Sequence, residues 1–218
     1  MQKDIFLSSE ADQWFKRNIE SLKDKLAIDD YLYQNIKKLD AKGKVLEVGA
    51  SIGYRLGWLK SDGYQVVGIE PSKEAVNYGI ANSDLTELEL LVGDASTFLD
   101  KCVSKFDMII FGHSLYLMDP EDLPNIVANT MRLLNEDGYI VIFDFDSDPQ
   151  KNPYHHRENL YSYKMEFDTL FTWNPCFKLI SKKIMQHDGS TSVGNKHEDC
   201  ALSIIKRVDL KHAYPTLA

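Results

Sequence analysis

The sequence has few cysteines, no long apolar run and no excess of positive charge. Each of these absences argues against a class of protein. Its three cysteines, Cys102, Cys176 and Cys200, stand far apart and form no C-x-x-C pair, so neither a disulfide framework nor a zinc site is predicted. No segment approaches the ~18–20 apolar residues of a membrane span, and Met1–Asp4 does not begin a signal peptide. We therefore expect a cytoplasmic protein without a membrane partner.

Positive charge is in deficit, because 25 Lys and Arg residues face 33 Asp and Glu residues and leave a net charge of −8. An acidic chain does not neutralise phosphates in bulk, so nucleic acid is not an expected partner. Hydrophobic residues make up 44% of the chain and charged residues 27%, which is typical of a globular protein with a core. The length of 218 residues suits one α/β domain with a small appendage.

The hydrophobic periodicity changes near residue 40. Before it, Ala11, Phe15, Ile19, Leu22 and Leu26 form one apolar helical stripe, so residues 1–40 are predicted to be an N-terminal helical cap. After it, short apolar runs alternate with helical patterns, which predicts a parallel sheet with helices on both faces over a domain of residues 41–218. The predicted strands are five parallel ones at 44–48, 65–70, 88–92, 106–111 and 139–145, and a C-terminal antiparallel hairpin of 177–185 and 200–206, with a loop at 146–153.

The end of the first predicted strand carries a pattern for ligand binding. Gly49, Ala50, Ser51 and Gly53 are small, so the backbone can turn sharply and approach a ligand beside the start of the next helix. Glu70 ends the second strand 21 residues after Gly49, at the spacing of a carboxylate that accepts both ribose hydroxyls of a nucleoside. The alternative for Glu70 is an ordinary solvent-exposed carboxylate at a strand end.

Two classes of nucleoside ligand use this arrangement. A dinucleotide fingerprint needs glycine at positions 49, 51 and 54, but the chain has Ser51 and Tyr54. Glu47 beside a pyrophosphate would cost about 4 kcal/mol at ~4 Å and an effective dielectric of ~20, whereas a ligand with a sulfonium and an ammonium would be attracted. A cationic nucleoside is favoured, and an NAD(P)-dependent oxidoreductase is the alternative.

Five motifs in order resemble those of the class I S-adenosylmethionine-dependent methyltransferases over about residues 40–145. The resemblance implies a single Rossmann-like sheet, S-adenosyl-L-methionine as cofactor, and methylation of an oxygen or nitrogen. A non-catalytic module that binds S-adenosylmethionine is a further alternative. The motifs are the loop 47–53, which looks like E/D-x-G-x-G-x-G with Ser51 at the middle glycine, then Glu70, Leu91–Ala95, Phe106–Phe111 and Leu133–Tyr139.

The resemblance also assigns roles to residues. Glu70 is expected to bind the ribose, Asp94 to contact the adenine amine, and Ala95 to lend its backbone amide, although Asp94 is also placed to cap the following helix. The cofactor-binding residues implied are Glu47, Gly49, Ala50, Ser51, Gly53, Glu70, Pro71, Asp94, Ala95, Phe111 and Gly112.

Histidines provide the candidate bases for the chemistry. His113 follows the fourth strand at the expected mouth of the site, and His155 lies in the loop after the fifth, so either is a candidate general base; the alternatives are a cleft-lining side chain and a solvated loop residue. No metal site is predicted, because His155 and His156 have no third ligand at a suitable spacing. Asp144 and Asp146 are expected either near the acceptor or in solvent.

The flanks and the fourth-strand exit bear on the acceptor. Residues 14–18, 152–157 and 161–164 are similar to a bacterial methyltransferase group associated with glycan or secondary-metabolite pathways. The exit at Phe111–Ser114 lacks an Asn/Asp-Pro-Pro-Tyr signature, and the flanking segments are short. We therefore expect a small-molecule acceptor, a metabolite or a sugar, and leave open whether the protein is a monomer or a homodimer.

Overall fold

The centre of the protein is one seven-stranded sheet, seen in a computed structural model that describes residues 2–187, 190, 191, 194 and 197–216. The strand order is β3-β2-β1-β4-β5-β9-β8, with β1 to β5 parallel and β9 antiparallel to both its neighbours. The strands are β1 Lys44–Val48, β2 Gln65–Glu70, β3 Leu90–Val92, β4 Phe106–Gly112, β5 Leu134–Phe145, β6 Gln150–Pro153, β7 Tyr161–Lys164, β8 Phe177–Gln186 and β9 Asp199–Arg207.

This architecture confirms the predicted α/β class and the five parallel strands. The sheet nevertheless has seven strands rather than five, because the C-terminal antiparallel pair joins it through β9, which pairs with β5. The third strand is also shorter than predicted, since Leu88 lies outside it and is 83% exposed. A separate two-stranded hairpin of β6 and β7 occupies part of the segment that was predicted to be a loop.

Helices cover both faces of the sheet and extend across one edge of it. A π-helical turn, Phe6–Glu10, joins the first two helices, and a 3₁₀ turn, Leu115–Leu117, follows β4. The helices are α1 Gln2–Ile5, α2 Ala11–Lys23, α3 Tyr31–Ile36, α4 Tyr54–Ser61, α5 Lys73–Asn82, α6 Ala95–Lys101, α7 Leu123–Leu133, α8 Thr169–Thr172 and α9 Leu210–Ala213.

The core has two layers because neighbouring residues of a strand point to opposite faces. In β1, Leu46 and Val48 pack into the layer that contains α7, whereas Val45 packs into the layer that contains α4. Leu32 and Ile36 of α3 also join the second layer, so part of the predicted N-terminal cap is built into the core of the sheet domain.

Strand order determines where a ligand can bind. From β1 the chain first builds outward on one side through β2 and β3, and then crosses to the other side to form β4 and β5. At such a reversal the loops at the carboxyl ends of adjacent strands diverge and leave a crevice. The crevice of this fold therefore lies beyond the ends of β1 and β4, with the end of β2 beside it.

Candidate functional site

A cavity of about 490 Å³ lies over this crevice. Its floor consists of the loops that follow β1, β2, β3 and β4, and its cover is the segment from α1 through the π-helical turn to α2, which we call the N-terminal roof. The predicted site residues in its wall are Glu47, Gly49, Ala50, Ser51, Glu70, Pro71, Asp94, Ala95, Gly112 and His113.

Three predicted site residues do not line this cavity. Gly53 has φ 73 and precedes α4, where an added Cβ would come 2.5 Å from the Leu85 side chain, so it serves the turn. Phe111 is fully buried in the core, where the centroids of its ring and of the Phe171 ring are 6.3 Å apart. His155 is exposed on the turn between β6 and β7.

Glu70 lies at the end of β2 with both carboxylate oxygens engaged by the backbone. Its Oε2 accepts from the Ser51 N–H and its Oε1 from the Ser72 N–H, each at 2.9 Å. Burial raises the pKa of Glu70 to about 7, although these two hydrogen bonds oppose the rise. Each oxygen keeps a lone pair, so the carboxylate can accept two further hydroxyl donors side by side.

The loop after β1 takes left-handed conformations at alternate positions. Gly49 has φ 78 and Ser51 has φ 52. A Cβ on Gly49 would come 2.8 Å from the Cβ of Ser114, so glycine is required there for space as well as for conformation. Ser51 adopts a conformation that costs a non-glycine residue ~1–2 kcal/mol, and the hydrogen bond from its N–H to Glu70 helps to hold it. The serine therefore preserves the turn that a middle glycine would make.

Glu47 is almost fully buried at 1% exposure and is paired with an arginine that sequence reasoning missed. Its Oε1 accepts from Nη1 of Arg55, and Nη2 of Arg55 lies 2.8 Å from Oδ2 of Asp30. Burial raises the pKa of Glu47, and the guanidinium counteracts that rise. Arg55 and Leu59 lie four residues apart on the buried face of α4, and an arginine on an apolar helix face was the signal available in the sequence.

Asp94 lies at the other end of the cavity and caps α6. Its Oδ1 accepts from the Thr97 N–H at 3.0 Å and from the Ser96 hydroxyl at 2.8 Å. Partial burial alone would raise the pKa of Asp94, but these hydrogen bonds hold it below the ordinary value. Lys3 of the roof reaches this end, with its Nζ 2.9 Å from the Ser96 hydroxyl and 3.4 Å from Asp122. Asp94 therefore caps the helix, as the alternative interpretation predicted, and it also lines the cavity.

His113 has φ 54 and stands among aromatic rings at the opposite wall. Its ring centroid is 4.6 Å from that of Phe143, 6.2 Å from Phe145 and 4.9 Å from His187, which also lines the cavity. Burial, assisted by the neighbouring positive groups, lowers the pKa of His113 to about 3. The imidazole is therefore neutral at pH 7 and can accept a hydrogen bond.

Asp144 is neither solvated nor in the cavity wall. It is 1% exposed beneath the loop that carries His113, where its carboxylate accepts from the N–H of Leu115 at 2.9 Å and of Phe145 at 2.8 Å. Burial raises the pKa of Asp144 to about 7 despite these bonds. The residue supports the loop rather than contacting a ligand.

One group of carboxylates among the described residues has the spacing of a metal site, but a lysine occupies it. Oxygens of Asp146, Glu166 and Asp168 lie within 4.8 Å of one another. Nζ of Lys182 lies 2.7, 3.5 and 2.9 Å from them, respectively. The ammonium is thus the counter-ion of the cluster, and Asp146 belongs to an ion-pair network.

The N-terminal roof is held down by polar side chains. Gln2 is buried, and its Nε2 donates to the carbonyl oxygens of Leu117 at 2.7 Å and Tyr161 at 3.1 Å. Asp12 accepts from the Ser72 hydroxyl at 2.7 Å. Within the segment 14–18 noted in the sequence, Trp14 lines the cavity, Phe15 is buried, and Arg17 pairs with Glu10 and Tyr154.

Unpartnered polar atoms are concentrated in this cavity. Buried polar atoms normally have a hydrogen-bond partner, and exceptions call for an explanation. Among the described residues, five buried side-chain polar atoms have none, and all but Thr130 Oγ1 belong to residues of the cavity wall. The four are Glu47 Oε2, Ser51 Oγ, His113 Nδ1 and Ser114 Oγ. The unsatisfied hydrogen-bonding capacity of the described residues is therefore concentrated around this cavity.

Comparison with known proteins gives a consistent picture. A family model described as a methyltransferase domain matches residues 19–190. An uncharacterized methyltransferase of Alkaliphilus oremlandii is 34% identical over 113 residues, which are 50% of each chain. One from Staphylococcus carnosus is 29% identical over 135 residues, 59% of this chain and 62% of that protein. The matched segments thus span about half of the first relative and about three fifths of the second.

Solved structures share the fold. A Burkholderia thailandensis 1,6-didemethyltoxoflavin-N1-methyltransferase, with its namesake compound and S-adenosylhomocysteine bound, has a TM-score of 0.73 at 15% identity over 95% of this chain and 90% of that one. The N-methyltransferase NodS of Bradyrhizobium japonicum, bound to S-adenosylhomocysteine, has a TM-score of 0.62 at 15% identity over 91% of this chain and 99% of that one.

None of the helices formed by the described residues is both long and apolar enough to span a membrane.

Proposed function

The chain belongs to the methyltransferase-domain family and has the fold of the class I S-adenosylmethionine-dependent enzymes, and we propose that it methylates an oxygen or nitrogen of a small molecule. The observation that supports the proposal most directly is the covered cavity, whose wall brings together Glu47, Glu70, Asp94 and the Gly49–Ser51 turn. Its volume of about 490 Å³ falls within the ~300–1,000 Å³ that is usual for small-ligand pockets.

The residues present fit S-adenosylmethionine. Glu70 would accept the two ribose hydroxyls on the lone pairs that its backbone donors leave unused. Asp94 and the backbone of Ala95 would contact the adenine, and the unpartnered Oε2 of Glu47 would accept from the ammonium. Gly49 would keep the turn after β1 packed against Ser114, because a side chain at this position would collide with that residue.

When bound, S-adenosylmethionine supplies a methyl group made electrophilic by its sulfonium. The task of the chain is then to align an acceptor with that methyl group and to exclude water, which can contribute ~7–11 kcal/mol without covalent protein chemistry. The N-terminal roof covers part of the cavity and would shield a bound ligand from solvent on that side. The neutral His113 would accept a hydrogen bond from the acceptor's O–H or N–H at its unpartnered Nδ1.

A small acceptor is supported by the character of the site. The cavity is covered by the roof, and the chain carries a net charge of −8, which disfavours a nucleic acid. The Burkholderia enzyme of the same fold acts on a small molecule that is bound in its structure. His113, Ser114 and His187 are among the wall residues that the proposed cofactor contacts leave unassigned, and we place the acceptor beside them.

Binding of S-adenosylhomocysteine, measured by calorimetry, tests the cofactor assignment. We expect Glu70→Ala to weaken binding by ~3 kcal/mol, about a hundredfold, because two charge-assisted hydrogen bonds are lost. Glu74→Ala is the matched control, since this half-exposed glutamate pairs with Lys16 at 2.7 Å outside the cavity and should leave affinity unchanged. Equal affinity of wild type and Glu70→Ala would remove Glu70 from the site.

The two alternative functions require separate measurements. Tighter binding of NAD than of S-adenosylhomocysteine would favour an oxidoreductase, which the charge of Glu47 disfavours. A panel of small hydroxy and amino compounds, with release of S-adenosylhomocysteine as the readout, distinguishes an enzyme from a module that only binds the cofactor. Turnover with any member of the panel would exclude the binding module.

A further inference from the structure

A buried arginine in the wall of the cavity joins two carboxylates, one of which, Glu47, also lines the cavity. Nε and Nη2 of Arg55 contact the Asp30 carboxylate at 3.3 and 2.8 Å, and Nη1 donates to Glu47 Oε1. The side chains of Arg55, Asp30 and Glu47 are 9%, 7% and 2% exposed. Buried charges of this kind are stable only when each is paired and hydrogen-bonded, and here the arginine pairs both carboxylates.

The local structure fixes each member of this triad. Asp30 is the N-cap of α3 and accepts from the Tyr33 N–H at 2.7 Å, so its carboxylate has a defined position. The hydroxyl of Tyr54 lies 3.2 Å from Nη2 of Arg55. Gly112, at the end of β4, leaves room for the guanidinium, because a Cβ there would lie 3.2 Å from Nη1.

Pairing leaves Glu47 with one engaged oxygen and one free one. Oε1 accepts from Arg55, whereas Oε2 is buried without a partner in a residue that lines the cavity. The arginine thus fixes which oxygen of Glu47 is left without a partner. A buried carboxylate without a nearby cation would be driven toward its neutral form, so the arginine also favours the ionised one.

The second carboxylate preserves the sign of the charge. One arginine and one glutamate would cancel, and the wall would lose its attraction for a cation. With Asp30 included, the triad carries a formal charge of −1, and Glu47 and Arg55 are its members in the cavity wall. Because Asp30 adds a second negative charge, Arg55 can pair with Glu47 and orient it while the three side chains together keep a net charge of −1.

We propose that Arg55, held by Asp30, is a positioning residue that turns Glu47 so that Oε2 receives the ammonium of the methionine tail. This inference rests on the proposed function, because it assumes that the cavity binds S-adenosylmethionine. It adds a specific role: Arg55 acts on the amino-acid end of the ligand through Glu47 and has no effect on the adenosine end.

Two probes separate the ends of the ligand in binding measurements. S-adenosylhomocysteine has the amino-acid tail, whereas 5′-methylthioadenosine has the same adenosine and lacks both the ammonium and the carboxylate. We expect Arg55→Gln to weaken binding of the first at least tenfold and of the second less than twofold. Arg55→Lys, which retains the charge, should recover part of the loss, and Asp30→Asn should show a smaller loss with the same selectivity.

A double-variant cycle distinguishes positioning from general damage to the fold. If Arg55 acts through Glu47, then Arg55→Gln combined with Glu47→Gln should bind S-adenosylhomocysteine no more weakly than Glu47→Gln alone. Equal losses for the two probes, additive losses in the cycle, or an unchanged affinity in Arg55→Gln would each overturn the inference. If Arg55→Gln does not fold, Asp30→Asn and Arg55→Lys are compared with the same probes. Failure of the wild type to bind S-adenosylhomocysteine would instead refute the proposed function.

Discussion

Binding at Glu70 should depend on pH, and the size of the effect follows from its surroundings. The two oxygens of Glu70 already accept N–H groups from Ser51 and Ser72, and two ribose hydroxyls would bring the donors to four. A protonated carboxyl would direct an O–H against these donors, so only the ionised form can accept all of them. Ligand binding should therefore release the proton that Glu70 holds.

The magnitude comes from the pKa of about 7 that burial gives Glu70. About one site in eleven is then ionised at pH 6 and about ten in eleven at pH 8. Affinity for S-adenosylhomocysteine should therefore rise about tenfold from pH 6 to pH 8, with about 0.9 proton released on binding at pH 6 and about 0.1 at pH 8. The direction is fixed, since an acid with a raised pKa must lose its proton to bind and loses it more readily at higher pH.

Calorimetry in two buffers with different enthalpies of ionisation measures both the affinity and the number of protons released. Glu70→Gln should bind more weakly and show no dependence on pH in this range, whereas Glu74→Gln should retain the wild-type profile. An affinity that is constant between pH 6 and pH 8 in the wild type would refute the reasoning. A dependence that persists in Glu70→Gln would assign it to another group.

Three further predictions concern the rest of the site. Gly49→Ala should abolish S-adenosylhomocysteine binding, whereas Gly63→Ala, which has a similar φ of 92 but nothing within 4 Å of its added Cβ, should cost only ~1 kcal/mol of stability in denaturant unfolding. Because burial raises the pKa of Asp144, the free energy of unfolding should fall by about 1 kcal/mol between pH 6 and pH 8. Denaturant unfolding of Asp144→Asn should lack that part of the decrease, and an unchanged dependence of the free energy on pH in this variant would contradict the prediction. His113→Asn should lower kcat about tenfold with little change in S-adenosylhomocysteine affinity, because an imidazole with a pKa of about 3 orients the acceptor by a hydrogen bond but is too weak a base to take its proton at neutral pH. The exposed His155→Asn should match the wild type in both assays, and equal effects of the two substitutions would remove His113 from the chemistry.

The sheet and one wall of the site were predictable because both depend on residues that are close in sequence. A buried strand is a short apolar run, and the turn that follows it carries Gly49 and Ser51 directly to the cavity. The spacing between Gly49 and Glu70 reflects one strand-helix-strand unit, which places the two strand ends side by side.

The remainder depends on contacts between distant parts of the chain. The approach of Gln2 to Leu117 and Tyr161 has no local signal, so the N-terminal roof could be assigned as helical but not placed. The β6–β7 hairpin was missed because Pro153 and polar residues are typical of a loop; in a two-stranded sheet both strands are edges, and an edge tolerates proline. Arg55 could have been noticed on the apolar face of α4, but its partner Asp30 could not.

The way in which the N-terminal roof is attached has a consequence for the rate of product release. Gln2, Lys3 and Asp12 hold it through side-chain contacts at its edges, and the seven-stranded sheet does not depend on them. Phe15 and Leu22 of α2 also pack against Ile52 and Ala75, so opening of the roof would break this apolar cluster as well as the polar contacts, but no pairing between strands. In enzymes whose sites are covered by a mobile segment, product release often limits turnover. We therefore expect substitutions at Gln2, which is far from any reacting atom, to change the rate of product release and with it kcat.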